Sequence, residues 1–321
     1  MPQVRVDPLT GLKTIIAGAR AQRPGGGFDV PPHPPVDPEQ DPFLPGHEDR
    51  TPPELYSVPD GDGSWRVRAF ANLYPALDAA AQTPERHAHP DLFTAQPATG
   101  YHEIIVNAPE PVSALADLSV EQLELAVDAW RERLRAHAGA HCRHLIVNEG
   151  RSAGASLPHT HAQLYAFDFV PAAIARERER FGAYAVRTMG GNLLADLVQE
   201  EVRERTRIVA IDKEAVLMAP YASRVPFHLL IAPRAVRERF EDDGPSGAAL
   251  LHDALRRLTA RLGASPPLNL WVRTAPRGAE HFCWWIEILP RLAEPAGLEL
   301  GTGVNLCIVA PEQAAAELRE Q

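Results

Sequence analysis

The chain has 321 residues, 45% of them hydrophobic and 23% charged, a soluble globular balance too long for one ordinary core, so two domains or one duplicated unit are expected. A net charge of −10 argues against sequence-independent nucleic-acid binding, which depends on basic side chains neutralising phosphates. No apolar run reaches a membrane span and MPQVRVDPLTGLK lacks the features of a secretory signal, so a cytoplasmic protein with no membrane partner is expected.

Ten of the 31 prolines fall between Pro24 and Pro53. Their fixed φ and missing N–H groups exclude helix and central strand, so 24–53 reads as an extended, wrapping arm. A strand GYHEIIVNAPEP from Gly100 follows. Next comes a helix opening at Ser119, where SVEQ forms a capping box and Leu123, Val127, Trp130 and Leu134 share one face, closed by Gly139. The strand HLIVNEG, the small-residue loop RSAGASLP and the strand HTHAQLYAF complete this half. Residues near 171–206 read as helical connections whose Arg/Glu spacing marks a solvated face.

The second half repeats that order. PFHLLIAPR from Pro226 leads to a helix carrying Leu251, Leu255, Leu258 and Leu262 and ended by Gly263, then LNLWVRT, a loop and FCWWIEILP. His102 and His228 are 126 residues apart, His159 and Cys283 124, so the two halves align with a two-residue difference, as a duplication would. The expected fold is α+β, each repeat an antiparallel sheet with a long helix, spanning 1–187 and 188–321. Cys142, Cys283 and Cys307 fit a reducing compartment and read as small buried side chains. Trp284 and Trp285 should face opposite sides of their strand and belong to the core; His281 reads as an exposed loop histidine.

The chemistry concentrates between Asn148 and Gln163, NEGRSAGASLPHTHAQ. Alternation puts His159, His161 and Gln163 on one face of a strand. Gly150, Gly154 and small neighbours let backbone N–H groups approach a phosphate, Ser152 and Ser156 add hydroxyl donors and Arg151 adds charge. A neutral imidazole is a competent nucleophile toward phosphorus, and Gln163 can donate to the transferring oxygens. An HxH pair alone is equally a metal-ligand pair or a satisfied surface pair, and Asn72, before an aromatic and a proline, reads as a turn residue.

Taken whole, the run resembles the active-site signature of the galactose-1-phosphate uridylyltransferase family of the histidine-triad superfamily, which includes ADP-glucose phosphorylase-like relatives: an Asn, a Gly, AGAS, then HxHxQ. DPLTG with ARAQRP, NLYPAL from Asn72, APYASRVPF from Ala219 and GLELGTG from Gly297 extend the resemblance along nearly the whole chain. It implies two histidine-triad-like repeats, with His161 as the nucleophile that becomes nucleotidylated. Gln163 would stabilise the phosphoryl group and Ser156 bind the phosphates. Asn72 and Asn148 would hold the nucleotide, alongside Arg151, Gly154 and His159. Arg20 and Arg23 would contact phosphate, across a homodimer interface. Sugar nucleotide and sugar-phosphate substrates follow, with UDP-glucose and a sugar 1-phosphate as the leading pair. A phosphorylase acting on ADP-glucose or a dinucleoside polyphosphate, or a non-catalytic nucleotide-binding module, are the alternatives.

Departures from the family pattern bear on metal and substrate. Asp41 and Leu44 stand where metal-containing members carry a CxxC, and Pro111 stands where they carry a histidine. Only His159 remains of the four zinc ligands, so no zinc or other cofactor is expected. Cys283 and Trp285 replace a second histidine pair, leaving one active site per chain. The C-terminal GLELGTGVNLCIVAPEQAAAELRE resembles phosphorylase-like and many bacterial members, and lacks the glutamine-arginine pair of galactose-specific transferases.

Overall fold

The computed structural model describes residues 1–321 except 23–26, 29, 62, 86–88 and 90. The fold is mixed α+β. Its strands are β1 (Gln3–Val6), β2 (Lys13–Ile16), β3 (Glu54–Pro59), β4 (Trp65–Ala71), β5 (Gly100–Val106), β6 (Cys142–Glu149) and β7 (His161–Phe167). They continue as β8 (Ile208–Ile211), β9 (Ala215–Met218), β10 (Leu229–Pro233), β11 (Leu268–Arg273), β12 (Trp285–Pro290) and β13 (Asn305–Cys307). The α-helices are α1 (Val120–Ala136), α2 (Ala172–Thr188), α3 (Leu193–Glu204), α4 (Ala248–Leu262), α5 (Gly297–Thr302) and α6 (Pro311–Arg319).

Ten strands form one antiparallel sheet in the order β3-β4-β5-β7-β6-β11-β12-β10-β9-β8. Read inward from each edge, the order is the same: 3-4-5-7-6 on one side, 8-9-10-12-11 on the other. The two runs meet where β6 pairs with β11, Leu268 opposite Glu149 and Val272 opposite Leu145. The boundary expected at 187/188 falls in the last turn of α2. A second sheet joins β1, β2 and β13, and there β13 runs parallel to β2.

Apolar periodicity decides which face the helices cover. Leu123, Val127, Trp130 and Leu134 of α1 and Leu251, Leu255 and Leu258 of α4 are buried against Ile105, Leu145, Val147, Ala162, Leu164, Leu270 and Ile286, each large side chain contributing about 1.5–3 kcal/mol by leaving water. On the opposite face α2 and α3 cover the second half, where Phe181, Leu194 and Val198 pack with Leu230, Phe282 and Trp285. Trp284 and Trp285 lie in these two different cores, as alternation requires.

Three expectations need correcting. The helix ends at Ala136 with His137 as its cap, short of Gly139. Ser119 does accept from the Gln122 backbone N–H, but the Gln122 side chain donates to the Arg66 and Asn107 carbonyls, so only half of the capping box forms. The connection at 171–206 is helical, yet Glu177 and Glu201 are buried rather than solvated, since arginines outside the connection claim them: Arg273 and Arg207.

Among the described residues, 30–47 contains no helix or strand. Asp41 and Phe43 are buried, the latter with Trp65, Phe70, Ile104 and Val106. This segment therefore lies over the first half of the sheet, on the face away from α1.

Candidate functional site

On β7, Ala162 and Leu164 point into the core under α1, so alternation turns His161, Gln163 and Tyr165 to the other face. There a hollow of about 470 Å³ is lined by His161, Gln163, Ser156 and Asn72, by Phe43, Arg50 and Thr51 from the arm, and by Phe70, Leu73 and Tyr74.

His161 is 5% exposed. Its Nδ1 lies 2.8 Å from the His159 carbonyl oxygen. A carbonyl only accepts, so Nδ1 carries the proton and Nε2 the lone pair. Nε2 makes no hydrogen bond among the described residues. Burial lowers the pKa of the ring below that of an ordinary histidine, opposed by the bond to His159 and aided by the neighbouring His159 ring. Phe43 meets the imidazole edge to face, with centroids 5.2 Å apart.

His159 is not on the β7 face with the other two. It precedes the strand and is fully buried. Its Nδ1 lies 2.6 Å from the Asp41 carboxylate and its Nε2 2.9 Å from the Ala108 carbonyl, which leaves neither nitrogen for a phosphate or a metal. Asp41 also accepts from the Phe43 backbone N–H at 3.0 Å, so this one carboxylate holds the strand's approach and the arm together. The donor set does not fit zinc: Leu44 and Pro111 carry no ligand atom, and no group of three or more His, Cys, Asp or Glu suited to a metal occurs among the described residues.

Gln163 faces the hollow, its side-chain oxygen within hydrogen-bond reach of His102 and Tyr165. Asn72 serves a turn and the hollow at once, its Oδ1 accepting from the Tyr74 N–H at 2.9 Å.

The loop after β6 is tighter than its composition suggests. Gly150 has φ +79° and a side chain there would meet Pro267 at 2.8 Å, so both backbone conformation and close approach require glycine. The N–H groups of Ala153, Gly154 and Ala155 bond to the carbonyls of Gly150 and Arg151. Those three donors, expected for phosphate, are therefore consumed by the turn. Gly154 supplies a left-handed residue at φ +89°. Ser156 is exposed and lines the hollow, while Arg151 borders a smaller neighbouring cleft that Ser156 shares.

Asn148 does not line the hollow: its Oδ1 accepts from Asn269 Nδ2 at 2.8 Å, and the same Asn269 nitrogen reaches the Ala153 carbonyl at 2.8 Å. Behind the loop, burial pushes the Glu149 carboxyl up to about 8, against hydrogen bonds from Leu115 and Thr160. The neutral acid is therefore its favoured form at pH 7. Arg20 is exposed on a short 3-10 turn and does not line the hollow; Arg23 lies outside the described residues.

Sequence reasoning missed Phe43, Arg50, His102, Tyr165 and Asn269. Only His102 carried a signal, its match with His228 in the repeat.

Residues 1–171 match the family model for the galactose-1-phosphate uridyl transferase N-terminal domain. The chain is 29% identical to an ADP-glucose phosphorylase of Arabidopsis thaliana, covering 99% of this chain and 93% of the relative. It is 28% identical to a galactose-1-phosphate uridylyltransferase of Haemophilus influenzae, over 99% and 94%. The crystal structure of the Arabidopsis ADP-glucose phosphorylase with bound ADP-glucose superimposes with a TM-score of 0.83, at 26% identity, over 100% of this chain and 99% of that one. With the family model matched over residues 1–171, more than half of its length, the chain belongs to the galactose-1-phosphate uridylyltransferase family.

Proposed function

We propose that this protein is a nucleotidyltransferase that moves a nucleoside monophosphate from a sugar nucleotide to a sugar 1-phosphate through a covalent His161 intermediate, with UDP-glucose and a hexose 1-phosphate as the leading pair. The observation that carries this reading is the state of His161: neutral, with Nδ1 tied to the His159 carbonyl and Nε2 left open at the hollow. In the first step Nε2 attacks the α-phosphorus. A P–N bond forms, the bond to the bridging oxygen breaks, and the sugar 1-phosphate leaves with that electron pair. In the second step a phosphate oxygen of the acceptor attacks the same phosphorus and the P–N bond breaks, returning the imidazole.

Gln163 and Ser156 stand at the hollow to donate to the phosphoryl oxygens, and Arg50 brings a cation to its rim. Asn72 and Asn148 hold the nucleotide, with Arg151 and Gly154 shaping the phosphate side. The mutual bond of Asp41 and His159 supports a site that works without structural zinc. The mirrored strand order supports two histidine-triad-like units, 1–187 and 188–321, with the Pro-rich arm over the first. A cytoplasmic homodimer, in which Arg20 and Arg23 reach a neighbouring subunit's phosphate, belongs to the same proposal.

Intact-protein mass spectrometry after brief exposure to UDP-glucose, ADP-glucose and GDP-sugars in turn tests it. A nucleoside-monophosphate adduct present on the wild type and absent from His161→Ala is expected, and its mass names the base. Nucleotide binding without an adduct from any donor would instead make the chain a binding module. A second reading, a phosphorylase whose acceptor is inorganic phosphate or sulfate, is favoured by the similarity to ADP-glucose phosphorylase. Chasing the adduct with hexose 1-phosphates and with phosphate separates the two.

A further inference from the structure

An amide beside a transferring phosphoryl group helps only if its nitrogen faces the phosphate, because its oxygen would repel the charge. Gln163 therefore has a right and a wrong orientation, and the groups behind it choose. The backbone N–H of Ala76 points at His102 Nδ1, 3.1 Å away. A backbone N–H can only donate, so Nδ1 holds the lone pair and a neutral ring carries its proton on Nε2. That Nε2 lies 3.0 Å from Gln163 Oε1. The Tyr165 hydroxyl donates to the same oxygen at 3.1 Å, and the two rings are stacked with centroids 4.1 Å apart, which keeps both donors on one side.

Two donors occupy both lone pairs of one amide oxygen. Turned over, the Gln163 NH2 group would face two hydrogens. The geometry points to His102 as a positioning residue that fixes Gln163 with its NH2 group toward the phosphoryl position, a role that rests on the nucleotidyl transfer proposed above. Asn72 Nδ2, 3.2 Å from the protonated Nε2, cannot donate into it as well. Desolvation lowers the His102 pKa, the bond to Gln163 opposing it, which favours the neutral ring this arrangement needs. Because Ala76 lies four residues after Asn72, the same imidazole links the nucleotide-side loop to the phosphoryl-side amide.

Two substitutions separate the ring's edges. His102→Gln can keep a donor near the Nε2 position, whereas His102→Asn keeps a group on the Nδ1 side and removes the donor. Single-turnover labelling of His161 is expected to slow by about 10- to 100-fold in His102→Asn, with donor affinity within about threefold, as expected for a residue acting on the transition state alone. His102→Gln should recover most of that loss. In a Gln163→Ala background His102→Asn should slow labelling no further; an equal slowing in both backgrounds would overturn the inference. Nitrogen-15 spectra of the wild-type imidazoles give a readout that needs neither activity nor a variant. A neutral Nε2–H tautomer for His102 at pH 7 is expected, and an Nδ1–H tautomer or an imidazolium overturns the inference. If no donor labels the wild type, the transfer reading fails, and the tautomer still decides whether His102 orients Gln163.

Discussion

The two halves of the large sheet offer the same frame to two different uses. Ile104 lies opposite Gln163 in the first half and Leu230 opposite Glu287 in the second, so Gln163 and Glu287 hold matching places, as do His161 and Trp285 two residues earlier. His102 and His228 match as well, and each Nδ1 accepts a backbone N–H, from Ala76 at 3.1 Å and from Arg224 at 3.2 Å. The partners then diverge. Glu287 is ion-paired to Arg224 and accepts from the Trp285 ring N–H at 2.9 Å. Arg273 beside it is held by Glu177 of α2 at 2.7 Å. In the second half Glu287 and Arg273 close on neighbours, whereas in the first half the covering segment leaves a hollow with His161 Nε2 open to it. A shared strand order fixes where side chains sit, and what each can do depends on whether its neighbours leave it a free valence.

Substitutions at matching places can break that comparison. The largest effect is expected from His161→Ala, a loss of transfer of about 10⁴-fold or more, measured by single-turnover labelling. Trp285→Ala, at the matching place, should leave the labelling rate of the folded protein unchanged and cost about 3–5 kcal/mol of stability in urea denaturation. Next come the exchanged residues. Glu287→Gln removes the charge of a buried carboxylate from half-buried Arg224 and should cost about 3 kcal/mol of stability with transfer intact. Gln163→Glu should do the reverse, slowing transfer by about 100-fold because a carboxylate faces the phosphoryl oxygens, with little change in the denaturation midpoint.

The pH dependence of stability sharpens the contrast between buried carboxyls. Burial pushes Glu287 up, but Arg224, His228 and Arg273 together outweigh it and hold the carboxyl well below the usual range. Its contribution is therefore present above the unfolded value of about 4.3 and is lost as pH falls through the lower folded value. Urea midpoints measured from pH 6 downward should fall more steeply for the wild type than for Glu287→Gln. Glu149 has the opposite sign, its folded pKa raised to about 8. Its penalty is absent below the unfolded value and grows as pH rises toward 8, so the stability of Glu149→Gln relative to the wild type should rise steadily between pH 4 and pH 8, with no gain at pH 4.

The elements of this architecture were readable where periodicity carries the information. Alternation along β7 put His161 and Gln163 on one face, and the heptad-like stripe of α1 located its buried side. Partners were not readable. Asp41 and His159 meet across 118 residues and Arg273 and Glu177 across 96, and spacing says which face a side chain takes but not what the topology brings to it. The loop at 150–156 shows the same limit on a smaller scale. Its glycines announced a tight turn, but which N–H groups that turn consumes depends on its backbone angles. Glu177 looked like one member of a charged stripe because nothing local distinguishes it from its exposed neighbours.

The small sheet has a consequence for how the molecule is made. β2 takes β13 as its parallel partner, with Asn305 beside Thr14 and Cys307 beside Ile16, and Arg5 is ion-paired to Glu312 at 2.8 Å. During synthesis the N-terminal hairpin of β1 and β2 must wait, one edge unpaired, until almost everything described here has left the ribosome. An unpaired edge is a template for other strands. A chain halted before Asn305 would keep that edge open, so premature termination near the C-terminus should yield aggregates rather than a shortened native protein, even though the large sheet is by then complete.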